Sequence, residues 1–183
     1  MGDMGWKVSS TYATALAASL RHFGQFEAVR AELRDEPRRF VDEPGVQRWW
    51  PGGELCTVLS TWETLRGRSA VIQGNIWAAH SRQGPLIKPL ASVLLAFSRE
   101  PAAALMSRLP TFLEAGVRGV IGTFEPRQGG GGGHVTFTFP NEVPAAVSPV
   151  WHGLFDFGFA LARQGRIASE KLEPTAHHYD VAW

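Results

Sequence analysis

The chain has 183 residues, 44% of them hydrophobic, and 18 basic against 17 acidic side chains for a formal net charge of +1. This is enough apolar material for one core, and the charge is too balanced for disorder or for a global field that would attract nucleic acid or an anionic membrane. The single cysteine, Cys56, excludes an internal disulfide and a cysteine-based zinc site, and there is neither a basic-then-apolar leader nor a run of about 18 apolar residues, so a reduced, cytoplasmic setting is expected.

Ser9-Ser10 can cap a helix whose apolar positions Tyr12, Leu16, Ala17, Leu20 and Phe23 follow helical spacing up to Gly24. A second helix over 25–34 presents Phe26, Val29 and Leu33. Asp35-Glu36-Pro37 and Asp42-Glu43-Pro44-Gly45 read as breaks, because a proline disfavours helix for the residue before it, and Arg38-Arg39-Phe40 between them reads as a short turn. Trp49-Trp50-Pro51-Gly52-Gly53 leads into a helix over 54–65 with the stripe Leu55, Val58, Leu59 and Trp62. The next helix, 68–81, carries Ala70, Gly74, Ala78 and Ala79 on one narrow side. Gly74 costs about 1 kcal/mol relative to Ala in a helix interior, so a close neighbour is expected there.

Gly84-Pro85 precedes an apolar segment over 86–98, and Pro101 suits the first turn of a helix to Ala115 that Pro110 should kink. The alternation Val135-Thr136-Phe137-Thr138-Phe139 is a strand signal, with 119–124 its partner across Gly129-Gly130-Gly131-Gly132-Gly133. An amphipathic helix over 144–163 and a strand pair, 166–172 and 178–183, complete the chain. The order predicts an α+β fold: an N-terminal helical layer followed by a β-β-α-β-β unit that forms a four-stranded antiparallel sheet. It reads as one domain, 1–183, mainly helical to residue 116 and β-β-α-β-β from 117 to 183.

No catalytic signature accompanies this order. A phosphate loop needs Lys and Ser/Thr opening a helix, whereas the glycine run leads through His134 into a strand and reads as a flexible hairpin connection. His22, His80, His134, His152, His177 and His178 form no His-x3-His or His-Glu-x2-His pair, so no metal is expected, and His177 and His178 face opposite ways in a strand. The serines, Ser148 among them, lack a Gly-x-Ser-x-Gly setting. Cys56 falls on an apolar helix face and reads as a core residue. Trp62, Trp77 and Trp151 lie on apolar stripes, while Trp49-Trp50, flanked by proline and glycine, suits a pocket edge or an interface.

The stretch Glu100-Pro101-Ala102-Ala103-Ala104-Leu105-Met106-Ser107, continued by Arg108-Leu109-Pro110-Thr111-Phe112-Leu113-Glu114-Ala115-Gly116, resembles a family of uncharacterised cytoplasmic proteins with many paralogues in myxobacteria. Trp49-Trp50-Pro51, Leu65-Arg66-Gly67-Arg68 and the closing Tyr179-Asp180-Val181-Ala182-Trp183 match it too. That family is distantly similar to the 4-vinyl reductase domain and the haem-nitric-oxide-binding superfamily, which place helices before a β-β-α-β-β unit and hold small molecules between the layers. The resemblance implies a signalling role. It also implies a proximal haem histidine in the helix before the first strand pair, but Phe112 to Arg118 supplies none, and the Tyr-x-Ser-x-Arg clamp is replaced by Val135 to Phe139. Haem in the superfamily's usual mode therefore has no ligand, and no cofactor is expected.

The resulting expectation is a non-catalytic small-molecule-sensing or regulatory module, with a small apolar ligand between helices and sheet in a pocket lined by Trp62, Trp77, His80, Phe112, Trp151 and Phe155. The alternative is a protein-interaction or scaffold module with a filled core, acting through Trp49 and Trp50 on a protein partner or as a homodimer. Neither reading calls for nucleic acid or a membrane.

Overall fold

The computed structural model describes residues 5–83, 98 and 100–183. The segment predicted over 86–98 therefore lies, but for Ser98, outside the described residues. Strand β1 (Lys7–Ser9) leads into α1 (Ser10–His22), where the Ser9 hydroxyl accepts from the Tyr12 amide at 3.3 Å, as the capping signal predicts. Helices α2 (Phe26–Glu32) and α3 (Asp35–Asp42) follow. The second corrects the sequence reading: Pro37 does not end structure but sits in the first turn of α3, where its missing N–H would have no intrahelical partner anyway. Arg38-Arg39-Phe40 is accordingly helical, which buries Phe40.

Strand β2 (Trp49–Pro51) opens directly into α4 (Gly52–Arg66), and α5 (Arg68–Ala78) continues into a π-helical turn, Ala79–Gln83. Helices α6 (Pro101–Ser107) and α7 (Leu109–Gly116) replace the single kinked helix expected over this stretch. Pro110 takes the second position of α7, so the chain restarts at Arg108 rather than bending through it. Strand β3 (Val117–Arg118) then joins β1 and β2 in a small antiparallel sheet of order β2-β1-β3. Pro51 is accommodated there because β2 is an edge strand.

Strands β4 (Ile121–Pro126), β5 (Gly132–Thr138), β6 (Arg166–Glu173) and β7 (Ala176–Ala182) form the four-stranded antiparallel sheet of order β4-β5-β7-β6, with α8 (Ser148–Ala162) between the two hairpins in sequence. The fold is α+β, as the sequence order predicts. The connection between β4 and β5 is a hydrogen-bonded turn at 127–131, and Gly132 and Gly133 already belong to β5. Gly129, Gly130 and Gly131 take left-handed backbone angles that other residues adopt at a cost, which is the local use of this run.

Alternation sets the two faces of this sheet. Val135 and Phe137 of β5 and His177, Tyr179 and Val181 of β7 are buried against α8, while His134, Thr136, His178 and Asp180 lie on the outer face. Trp151 stacks on Phe137 with ring centroids 4.0 Å apart and planes within 9°, and Phe155 and Tyr179 close in at 5.1 Å. The layer between α8 and the sheet is thus filled by aromatic rings.

On the helical side, Gly74 of α5 lets α4 and α1 approach. A Cβ at Gly74 would stand 2.0 Å from Cη2 of Trp62 and 2.9 Å from Oγ of Ser19, whose hydroxyl donates to the Gly74 carbonyl at 2.8 Å. Close packing thus offsets the glycine's helix penalty. Gly74→Ala should lower stability by about 1–3 kcal/mol despite alanine's better helix propensity, because it overpacks Trp62; chemical denaturation would measure it, and an unchanged or higher midpoint would refute this packing account.

Candidate functional site

A cavity of about 230 Å³ lies between helices rather than between helices and sheet. Its walls are Thr11 and Tyr12 of α1, Asn75 of α5 with Ala79 of the π turn, Leu105 and Met106 of α6, Leu109, Phe112, Leu113, Ala115 and Gly116 of α7, and Val117 of β3. Val150, Trp151, Leu154, Phe157, Gly158 and Leu161 of α8 complete it. Helix α8 therefore separates two environments: one side meets the aromatic layer on the sheet, and the other faces this open space.

Phe112 and Trp151, two of the six predicted lining residues, stand in this wall. Phe155 is buried in the ring layer facing Phe137 and Tyr179. Trp62 is fully buried between α4 and α5, held by Gly74. Trp77 is half-buried and stacks on His22 with centroids 4.5 Å apart, and His80 pairs through Nε2 with Asp156 at 2.9 Å while its ring edges against Phe157. These four miss the cavity because the space lies behind α8, one helix removed from the layer the sequence suggested.

The tryptophan pair also divides. Trp50 is fully buried, donates from Nε1 to the Pro44 carbonyl at 2.8 Å and meets Phe40 edge-on, so it is a core residue. Trp49 is half-buried with the Arg118 guanidinium 4.1 Å above its ring.

The chemistry of the wall is sparse. Tyr12 is its one ionisable side chain among the described residues, and its hydroxyl donates to Oδ1 of Asn75. Burial raises the Tyr12 phenol well above its ordinary pKa, which keeps it neutral. Burial likewise pushes the Cys56 thiol up to about 12, in keeping with a core residue. His80, His152 and His178 do not converge: His152 pairs with Glu170 at 3.1 Å, and His178 lies on the outer sheet face beside Thr136 and His134. Among the described residues no group of three His, Cys, Asp or Glu is placed to hold a metal ion.

Sequence reasoning missed a polar cluster at the start of α8. Ser148, fully buried, accepts from the Tyr179 hydroxyl at 2.8 Å and from Arg68 at 2.9 Å, and donates to Glu170 at 2.8 Å. Arg68 also meets Glu170 at 2.7 Å. Burial would raise the Glu170 carboxyl, but the bonds from His152, Ser148 and Arg68 outweigh it and hold it below the usual carboxylate range. Every lone pair and proton of Ser148 is committed, so the cluster fixes α8 to α5, β6 and β7. A tyrosine at an inward strand position was the one signal in the sequence.

Trp151 joins cavity and sheet. It is among the residues that line the cavity, while its indole stacks on Phe137 and its Nε1 donates to Nδ1 of the fully buried His177 at 3.3 Å. That bond places the His177 proton on Nε2, and burial lowers the imidazole pKa to about 4. The folded state keeps His177 neutral while the unfolded chain protonates it near its ordinary value of 6.5, so stability is complete above that value and falls as pH drops toward 4. Urea midpoints should lose about 2 kcal/mol of stability between about pH 7.5 and about pH 5. His177→Asn, which keeps an acceptor for Trp151, should flatten that slope; an equal slope in the variant would contradict this assignment.

No family model and no curated protein matches the sequence. Solved structures do match. They include the Fe(II) unliganded H-NOX protein from K. algicida, with a TM-score of 0.63 at 11% identity over 95% of each chain. A structure probing haem distortion in the H-NOX family gives 0.56 at 10% identity over 94% of this chain and 92% of that one. One concerned with protein-induced porphyrin distortion and haem redox potential gives 0.56 at 8% identity over 96% and 99%. At these identities the likeness shows the fold: this chain has an H-NOX-like α+β architecture over nearly its whole length.

Proposed function

We propose that the chain is a sensing or regulatory module that holds one small, neutral, apolar molecule in the interhelical cavity and does so without haem. The observation that carries this reading is the cavity itself, whose described wall is almost entirely carbon. Gly158 supports it. This glycine sits inside α8, where it costs about 1 kcal/mol relative to Ala. Packing does not require it: a Cβ there would meet only Cε of Met106, at 3.7 Å, an ordinary contact. Gly153, earlier on the same helix, is different, since its Cβ would stand 2.6 Å from the Asn75 carbonyl oxygen. The open space is what Gly158 serves.

Haem does not fit the described wall. An axial donor is needed, usually His, Cys, Tyr or a Met paired with His, and cations to meet the propionates. Among the described residues the wall has no His, Cys, Lys or Arg; the Tyr12 proton is given to Asn75, and no described histidine lines the wall opposite Met106. The volume is also below the roughly 300–1,000 Å³ typical of pockets for larger ligands. Transmission has a ready route through α8, because Trp151, a residue of the cavity wall, stacks its ring on β5 and bonds to β7.

Ligand-observed NMR with naphthalene as probe tests the reading. Saturation transfer is expected from the wild type and is lost in Gly158→Leu, while Gly158→Ala is expected to gain about 1 kcal/mol of stability and bind more weakly. No transfer from the wild type, or equal transfer from a folded Gly158→Leu, would overturn it. Added haemin should give no ligated Soret band; such a band would overturn the haem-free half.

A further inference from the structure

The buried polarity of the cavity is gathered at one point. Tyr12 and Asn75 are both buried, the Tyr12 hydroxyl donates to Oδ1 of Asn75, and Nδ2 of Asn75 donates to the Val71 carbonyl at 2.9 Å. The second bond fixes the amide, so its oxygen must face Tyr12. The phenol has therefore committed its proton and keeps lone pairs that can only accept. The other polar side chains of the wall are differently placed: Thr11 is exposed, and the Trp151 N–H is given to His177. The described wall thus offers a guest the Tyr12 oxygen as a neutral acceptor, with the Asn75 amide beside it, within an otherwise apolar surface.

Size narrows the guest further. An engineered apolar cavity of roughly 150 Å³ holds benzene, and this one measures about 230 Å³. The difference leaves room for a second ring. A charged guest is disfavoured, since a carboxylate or ammonium would leave water without a counter-charge on the described wall.

We infer that the cavity takes a neutral, largely apolar molecule of about two-ring size carrying a hydrogen-bond donor, and that the phenolic oxygen of Tyr12 is the acceptor that reads this donor. This rests on the ligand-holding reading above and adds the chemical class of the ligand. Tyr12 acts as a specificity residue: a guest lacking the donor still fills the space but leaves the acceptor unmatched. One net hydrogen bond of this kind corresponds to an affinity difference of up to about tenfold.

The probes are indole, which carries an N–H, and benzothiophene and naphthalene, which have similar outlines and no donor. Affinities of all three are measured by NMR titration on the wild type and on Tyr12→Phe. The ratio of indole to benzothiophene affinity should fall about tenfold in Tyr12→Phe, with naphthalene affinity unchanged. In addition, the N–H proton of ¹⁵N-indole bound to the wild type should move downfield, as in a hydrogen-bonded indole, which decides the matter even if Tyr12→Phe fails to fold. An unchanged ratio in a folded variant, or a bound N–H proton at its unbonded position, overturns the donor assignment while naphthalene binding leaves the cavity reading standing. Failure of all three probes to bind the wild type overturns both.

Discussion

Helix α8 has to bury two opposite faces, and most of the structure follows from how it does so. Toward the sheet it offers Trp151 and Phe155, which interlock with Phe137 and Tyr179 until no space remains. Toward α1, α6 and α7 it offers Val150, Leu154, Gly158 and Leu161, and there the packing among the described residues stops short. Protein interiors are normally close-packed, so an unfilled volume beside a helix-interior glycine is a specific feature of this face. The cluster of Arg68, Ser148, Glu170 and Tyr179 holds the start of the helix, which keeps the filled side filled whatever happens on the other.

The H-NOX-like architecture and the chemistry of the cavity point in different directions, and the two need not agree. Function belongs to sites placed on folds rather than to folds. Here the shared frame surrounds a wall of aliphatic and aromatic carbon with one phenol–amide pair, a surface suited to recognising shape and a single hydrogen bond. Any effect of a guest would pass through α8, where Trp151, one of the lining residues, has its ring stacked on the sheet. Any such change requires a guest that binds one arrangement of that ring better than another.

Much of the fold was legible where periodicity was long enough to show. The alternation from Val135 to Phe139 located β5, and the Ser9 cap located α1. The small sheet of β1, β2 and β3 was hidden because strands of two or three residues carry no period, and Trp49-Trp50-Pro51 reads as a loop until Lys7–Ser9 is seen beside it. Pro37 misled for a related reason, since proline ends a helix from within yet suits its first turn. The cavity wall was legible only in part. Phe112 and Trp151 sit on apolar stripes at the right positions, but a helix apolar on two sides does not say which side is full. Tyr12 and Asn75 lie 63 positions apart, and nothing local to either announces the other.

The central claim is that the space behind α8 is accessible and binds apolar guests. Xenon enters dry apolar cavities and is visible by its anomalous scattering, so a crystal held under xenon pressure tests the claim without assuming any ligand. The account predicts a xenon peak enclosed by Leu105, Met106, Leu109, Leu154 and Gly158. A structure in which side chains close that volume and no xenon enters would contradict it.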